Sequence, residues 1–106
     1  MPWIYLLVAG MFEIGWPLGL KLSQTTAHKV PWLLFAVLSM SASGLLLWIA
    51  QKSIPMGTAY AVWTGIGAAG AFILGIVLFK DPATFFRILS CTFIVIGIIG
   101  LKLSQP

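Results

Sequence analysis

Four long apolar runs dominate the chain, at residues 2–21, 30–50, 58–79 and 85–103. Each is about the 20 residues that a helix needs to cross a bilayer. Because lipid offers no partner to a free backbone N–H or C=O group, a spanning segment must satisfy its own hydrogen bonds, as a helix does. The alternating pattern of membrane barrel strands is absent. We predict an all-α integral membrane protein, with four transmembrane helices forming one domain over residues 1–106.

Composition agrees with a lipid environment, since 60% of the 106 residues are hydrophobic and 8% are charged. The basic residues are scattered singly, so we expect no nucleic-acid partner. The first run lacks a basic leader and carries an acid, so we expect no cleavable signal peptide. His28 stands in a polar connector and Cys91 is the single cysteine, so we expect no disulfide, metal or cofactor.

Glu13 is the residue most in need of an explanation, because it lies in the middle of the first apolar run. An ionised carboxylate at the bilayer centre costs on the order of 2.5–3.5 kcal/mol on insertion scales, so an acid there is a functional-site hypothesis. The chain's other acid, Asp81, lies in a loop. Pro17, four residues after Glu13, removes a helical hydrogen bond and predicts a bend beside the carboxylate. Trp16 lies on nearly the same face as Glu13.

The third run carries a polar and aromatic stripe at helical spacing, formed by Tyr60, Trp63, Thr64 and Gly67. Such a stripe suits a cation beside a carboxylate, although an interfacial aromatic belt is the alternative. Residues 65–70 match the dinucleotide pattern GxGxxG, but no strand precedes them, so small residues for helix packing are the better interpretation.

The second and fourth runs contribute small polar residues. Ser39, Ser41 and Ser43 precede a glycine in the second run. We expect these serines to bond to their own helix, and the alternative is that one of them donates across the helix pair to the Glu13 carboxylate. In the fourth run, Ser90 and Gly97 are seven residues apart and form a smooth stripe suited to helix packing.

The distribution of basic residues gives the chain only a weak orientation preference. Lys52 and Lys102 would share a membrane side with the termini, while the opposite side carries Lys21, Lys29, Lys80 and Arg87. Cytoplasmic loops normally hold a clear excess of Lys and Arg. With so small a difference, we expect the chain to be able to insert in both orientations.

Together these features resemble the small multidrug resistance family of proton-coupled exporters over essentially the whole chain. The resemblance rests on length, four spans, Glu13 and the string Gly-Thr-Ala-Tyr-Ala-Val-Trp-Thr-Gly-Ile-Gly at residues 57–67. Glu-Ile-Gly-Trp-Pro at residues 13–17, with the ending at residues 97–102, is similar to the guanidinium exporter subtype, because the drug-exporting subtype typically has a small residue in place of Trp16. The turn at residues 80–82 departs from the family pattern.

The resemblance implies an antiparallel, dual-topology homodimer in the bacterial inner membrane, in which Glu13 of both chains alternately binds a proton or a cation. By position, the residues around the glutamate would be Trp16, Ser43, Tyr60 and Trp63, with Ser43 favoured over Ser41. The fourth helix would be the dimerisation helix, at Ser90 and Gly97. A heterodimer with a related chain stays open.

The expected function is therefore proton-coupled export of guanidinium, a secondary transport activity rather than catalysis. A multidrug exporter of quaternary ammonium or other hydrophobic cations is the alternative, because the same aromatic cage would serve it. A non-transporting accessory subunit is a third possibility. An enzyme is the weakest candidate, because the spans hold no paired carboxylates, Ser-His set or metal motif.

Overall fold

The computed structural model describes residues 2–104, which form four helices joined by short turns. The helices are α1 (Pro2–Thr25), α2 (Lys29–Ala50), α3 (Met56–Phe79) and α4 (Phe85–Leu103). All four are long and apolar enough to cross a membrane. The prediction of an all-α fold with four membrane-spanning helices is confirmed. The antiparallel dimer stays a prediction, because the structure describes a single chain.

Helix α1 extends four residues beyond the predicted span, because a helix need not end where the hydrocarbon does. Its last turn satisfies carbonyl groups with side chains: the Ser23 hydroxyl donates to the Leu20 carbonyl at 2.6 Å, and the Thr25 hydroxyl donates to the Lys21 carbonyl at 3.1 Å. Pro17 lies inside α1, which continues past it as helix.

The turns place neighbouring helices antiparallel, as short connections do. Helix α3 ends at Phe79, and the capping residue that follows, Lys80, has a left-handed backbone with a φ of 57°. Helix α4 begins with a conventional cap, in which the Thr84 hydroxyl accepts the Arg87 backbone N–H at 3.3 Å. The ends of α1 and α3 and the starts of α2 and α4 therefore lie at the same end of the molecule.

Helix α1 is the centre of the packing, since it contacts α2 and α3, whereas the backbone of α4 approaches only α3. The contact between α3 and α4 depends on Gly65, where a Cβ atom would lie 2.8 Å from Ile98. The helices form a thin slab with extents of 48 × 34 × 16 Å. A slab so thin has no interior large enough for a transport pathway.

A small apolar core lies at the end of the slab that carries the turn between α2 and α3. Its fully buried members are Leu6, Ala50, Ile54, Ala59 and Val62. In lipid, close packing rather than release of water holds such a cluster together. The core therefore fixes α1, α2 and α3 to one another one to two turns from Glu13.

Helix α4 contributes no buried residue among those the structure describes. Ser90 and Gly97 are both exposed, and the Ser90 hydroxyl donates to the Phe86 carbonyl of its own helix at 2.8 Å. A Cβ atom placed on Gly97 would have no atom of another helix within 4 Å in the described part of the chain. This face is open in the single chain, as a surface for a second chain has to be, and its role in dimerisation stays a prediction.

Candidate functional site

Glu13 and Trp16 form the centre of the candidate site. The Trp16 indole N–H donates to the Glu13 carboxylate at a distance of 2.9 Å from Nε1 to Oε1. The two residues are three apart in α1, so the helix itself brings the indole over the carboxylate. A hydrogen bond to a charged acceptor is stronger than one between neutral groups. It orients the carboxylate and leaves its second oxygen available for a ligand.

Gly67 of α3 provides the surface on which the Glu13 side chain packs. A Cβ atom at position 67 would overlap with the Glu13 Cγ atom and would lie 3.2 Å from its Cβ atom. The absence of a side chain therefore allows the carboxylate to lie between α1 and α3. Gly67 belongs to the stripe that the sequence predicts on α3, and its backbone is buried.

A chain of two hydrogen bonds connects the three helices beside this site. The Trp63 indole N–H donates to the Ser43 hydroxyl at 2.7 Å, and that hydroxyl donates to the Ala9 carbonyl at 2.7 Å. Ala9 lies four residues before Glu13, on the preceding turn of α1. The chain from α3 through α2 to α1 therefore fixes the turn that carries the carboxylate.

The structure distinguishes the two serines between which the sequence left a choice. Ser43 is fully buried and faces α1, whereas Ser41 is exposed and donates to the Val37 carbonyl of its own helix at 2.9 Å. The expected hydrogen bond from Ser43 to the Glu13 carboxylate is not formed, and that expectation is corrected. Because α2 packs closely against α1, the Ser43 hydroxyl lies within hydrogen-bonding distance of the Ala9 carbonyl and donates to it instead of to the carboxylate.

Tyr60 and Trp63 form an aromatic pair on α3, with ring centroids 5.4 Å apart and planes at 46°. Trp63 lies four residues before Gly67, so the Cα atoms of the two residues are about 6 Å apart along the α3 axis. The Tyr60 side chain is 55% exposed. Thr64, from the same predicted stripe, donates to the Tyr60 carbonyl at 2.7 Å and so serves its own helix.

Basic side chains lie at the ends of the helices, away from Glu13. Four of them sit over aromatic rings, at 4.5–5.8 Å from the ring centres: Lys21 over Phe79, Lys52 over Trp48, Arg87 over Phe72 and Lys102 over Trp3. These four cations therefore contact aromatic rings and not the Glu13 carboxylate. Residues 2–104 contain no group of three His, Cys, Asp or Glu side chains that could hold a metal ion.

The surface of α2 that faces α1 was not predicted from the sequence. Its buried residues are Ala36, Ser39, Ser43 and Ala50. All four are small, and they recur at spacings of three, four and seven, which is the signal of a close helix crossing. Ser39 contacts α1 at Gly15, where a Cβ atom would lie 2.8 Å from the serine Oγ atom. This spacing is visible in the sequence, and it places Ser39 and Ser43 on one face of the helix and Ser41 on another.

Comparison with known proteins adds a family and relatives. Residues 1–96 match the family model described as Small Multidrug Resistance protein. The chain is 52% identical over 105 residues to the guanidinium exporter of Yersinia pseudotuberculosis serotype I, covering 99% of this chain and all of the relative. It is 49% identical over 104 residues to the guanidinium exporter of Escherichia coli K12, covering 98% of each chain. A guanidinium exporter of Salmonella typhimurium is 48% identical over the same length.

Proposed function

The chain belongs to the small multidrug resistance family, and we propose that it exports guanidinium in exchange for protons. As a member of this family with four membrane-spanning helices, it is a multi-pass protein of the bacterial inner membrane and a transporter rather than an enzyme. The proposal names the exchanged ions and the residue that binds them. It is supported by the exporter relatives and by the geometry around Glu13.

The single observation that carries the proposal is an acid in the middle of a membrane helix with no basic partner among residues 2–104. The Glu13 carboxylate accepts one hydrogen bond, from Trp16, and a neutral donor leaves its charge in place. Bare charge is costly at this depth in the bilayer. A bound proton or a bound cation removes that cost, and both occupy the same oxygens. A site that holds either ligand, and that opens to the other side of the membrane only when one of them is bound, exchanges the proton for the cation.

Guanidinium fits this site because it is planar and presents paired N–H donors that match a carboxylate. The Trp63 and Tyr60 rings supply faces that attract a cation, worth roughly 0.5–2 kcal/mol for each contact. Trp16 restricts the space over the carboxylate on the α1 side. A small planar cation is therefore favoured over a bulky aromatic one, which is the substrate class of the alternative function.

An antiparallel homodimer is the second part of the proposal. The slab is 16 Å thick, which is little more than one helix diameter, so a single chain cannot surround a substrate. Helix α4 is unburied, and the open face of α3 carries Tyr60. Two chains in opposite orientations would place two Glu13 carboxylates in one chamber. The weak charge difference between the two ends of the chain supports insertion both ways.

Transport across liposome membranes tests the proposal. Purified protein is reconstituted, and the current that follows a guanidinium jump on a solid-supported membrane is measured at several pH values. We expect currents for the wild-type protein, none for Glu13→Gln, and near wild-type currents for Asp81→Asn, the matched change at the chain's other acid. Equal currents for Glu13→Gln and the wild type would refute the proposal. Larger currents with a bulky quaternary ammonium ion than with guanidinium would favour the alternative substrate class.

A further inference from the structure

A groove lies between α3 and α4, on the side of the slab away from the Glu13 site. The two helices touch where Gly65 meets Ile98, and nearer the start of α4 they leave a space of about 410 Å³. It is lined by Ala68, Phe72, Phe86, Arg87, Ser90, Cys91 and Ile94. Arg87 is the one charged residue in this lining. The groove therefore combines an apolar trough with a single cation at its end.

Arg87 is held in a defined position at the mouth of the groove. Its Nε–H group donates to the Pro82 carbonyl at 2.9 Å, and its guanidinium carbon lies 5.2 Å from the centre of the Phe72 ring. A guanidinium group has five N–H donors, and Pro82 takes one of them. Arg87 is the third residue of α4, a helix long and apolar enough to cross a membrane. We expect a basic residue in the first turn of a spanning helix to lie near the lipid headgroups, where its remaining donors can bind a phosphate.

We propose that this groove binds an anionic phospholipid, with its phosphate on the Arg87 guanidinium and an acyl chain between α3 and α4. Basic pockets between transmembrane helices bind anionic headgroups, and arginine matches phosphate oxygens in a paired geometry. Charge complementarity supports an anionic over a zwitterionic lipid, because Lys21, Lys29 and Lys80 lie at the same end of the molecule. The apolar residues that line the groove would contact the acyl chain of the lipid.

The competing occupant of the groove is a second copy of this protein. Ser90 lies on the rim of the groove and belongs to the stripe with Gly97 that is predicted to form the dimer contact. Arg87, Cys91 and Ile94 lie one helix face away, in line with Ile98, which packs on α3. The groove and the predicted dimer stripe are therefore adjacent rather than identical. An experiment has to separate a lipid from a protein occupant.

Native mass spectrometry of the full-length protein in detergent distinguishes a bound lipid from a second copy of the protein, because it reports bound lipids and subunit number in one spectrum. Phosphatidylglycerol and phosphatidylcholine are titrated separately into the wild-type protein and three variants. Arg87→Gln removes the headgroup contact. Lys29→Gln, at the start of α2, removes the same charge at the same end of the molecule. Cys91→Trp fills the groove and keeps Arg87.

The wild-type protein is expected to retain phosphatidylglycerol over phosphatidylcholine. Arg87→Gln should weaken phosphatidylglycerol binding by at least about tenfold, through loss of a paired charged contact. Lys29→Gln should weaken it by no more than about fivefold, the effect of one surface charge. Cys91→Trp should also lower retention without changing the subunit number. The proposal is overturned if Arg87→Gln and Lys29→Gln have equal effects, or if Cys91→Trp separates subunits and leaves the lipid preference intact.

Discussion

Replacement of Gly67 by alanine tests whether the close contact between Gly67 and the Glu13 side chain determines the geometry of the site. The added methyl group would overlap with the Glu13 Cγ atom and lie 3.2 Å and 3.6 Å from its Cβ and Cδ atoms. These are atoms near the backbone of a rigid helix, so they cannot move away freely. Either α1 and α3 separate, which removes the carboxylate from its contact with α3, or Glu13 changes rotamer, which breaks its hydrogen bond with Trp16.

The size of the effect follows from the cost of overpacking a close contact, which is about 1–3 kcal/mol for added methyl groups. The protein without ligand can relieve the overlap by turning the Glu13 side chain away from α3. Guanidinium binding then has to restore the crowded position, so the affinity drops by about 5- to 150-fold, at 1.4 kcal/mol for each factor of ten. The helix itself does not suffer, because alanine is about 1 kcal/mol more favourable than glycine within a helix. Binding should therefore fall while the thermal stability stays close to that of the wild-type protein.

Isothermal titration of the purified protein with guanidinium measures the affinity, and a thermal unfolding scan measures the stability. Gly44→Ala is the matched control, because a Cβ atom at position 44 of α2 has no atom of another helix within 4 Å among residues 2–104. It should bind guanidinium as the wild-type protein does. Affinity of Gly67→Ala within about twofold of the wild-type value, a difference of less than 0.5 kcal/mol, would refute the assigned role of Gly67.

Three further predictions concern two hydrogen bonds of the site and the competition of protons with guanidinium for Glu13. Ser43→Ala leaves the Trp63 indole N–H without its acceptor and frees the Ala9 carbonyl, at a cost of about 1–3 kcal/mol, so the midpoint of thermal unfolding should fall. Trp16→Phe keeps an aromatic ring but removes the donor that orients Glu13, so guanidinium affinity should fall by about tenfold in titrations. Guanidinium affinity should also fall as the pH is lowered, approaching about tenfold for each pH unit once most of the carboxyl groups carry a proton.

Each of these predictions has a result that contradicts it. Ser41→Ala removes an exposed hydroxyl that bonds within α2, so a loss of stability as large as that of Ser43→Ala would show that the chain through Ser43 has no special role. Unchanged affinity in Trp16→Phe would mean that the indole N–H does not position the carboxylate. An affinity that is independent of pH would mean that protons and guanidinium do not share a site.

Much of the fold could be read from the sequence because the solvent for this chain is lipid. Backbone groups have to be satisfied within each span, so four apolar runs become four helices without a choice of topology. The placement of Trp16 over Glu13 was also accessible, because residues three apart on a helix share a face. Both inferences depend on the geometry of one helix alone.

Contacts between helices were harder to foresee, because helical spacing does not give the distance between two helices. Ser43 was expected to donate to Glu13 and instead donates to Ala9. The sequence also did not reveal that Trp63 would donate to Ser43, or that Gly67 would lie directly under the Glu13 side chain. Each of these depends on how closely α1, α2 and α3 approach one another.

The central claim is that one carboxylate holds either a proton or a guanidinium ion. The most direct measurement is proton release into a weakly buffered detergent solution when guanidinium is added to the purified protein. We expect release by the wild-type protein and by Asp81→Asn, and none by Glu13→Gln. Guanidinium binding by the wild-type protein without any proton release, at a pH where Glu13 carries a proton, would contradict the claim.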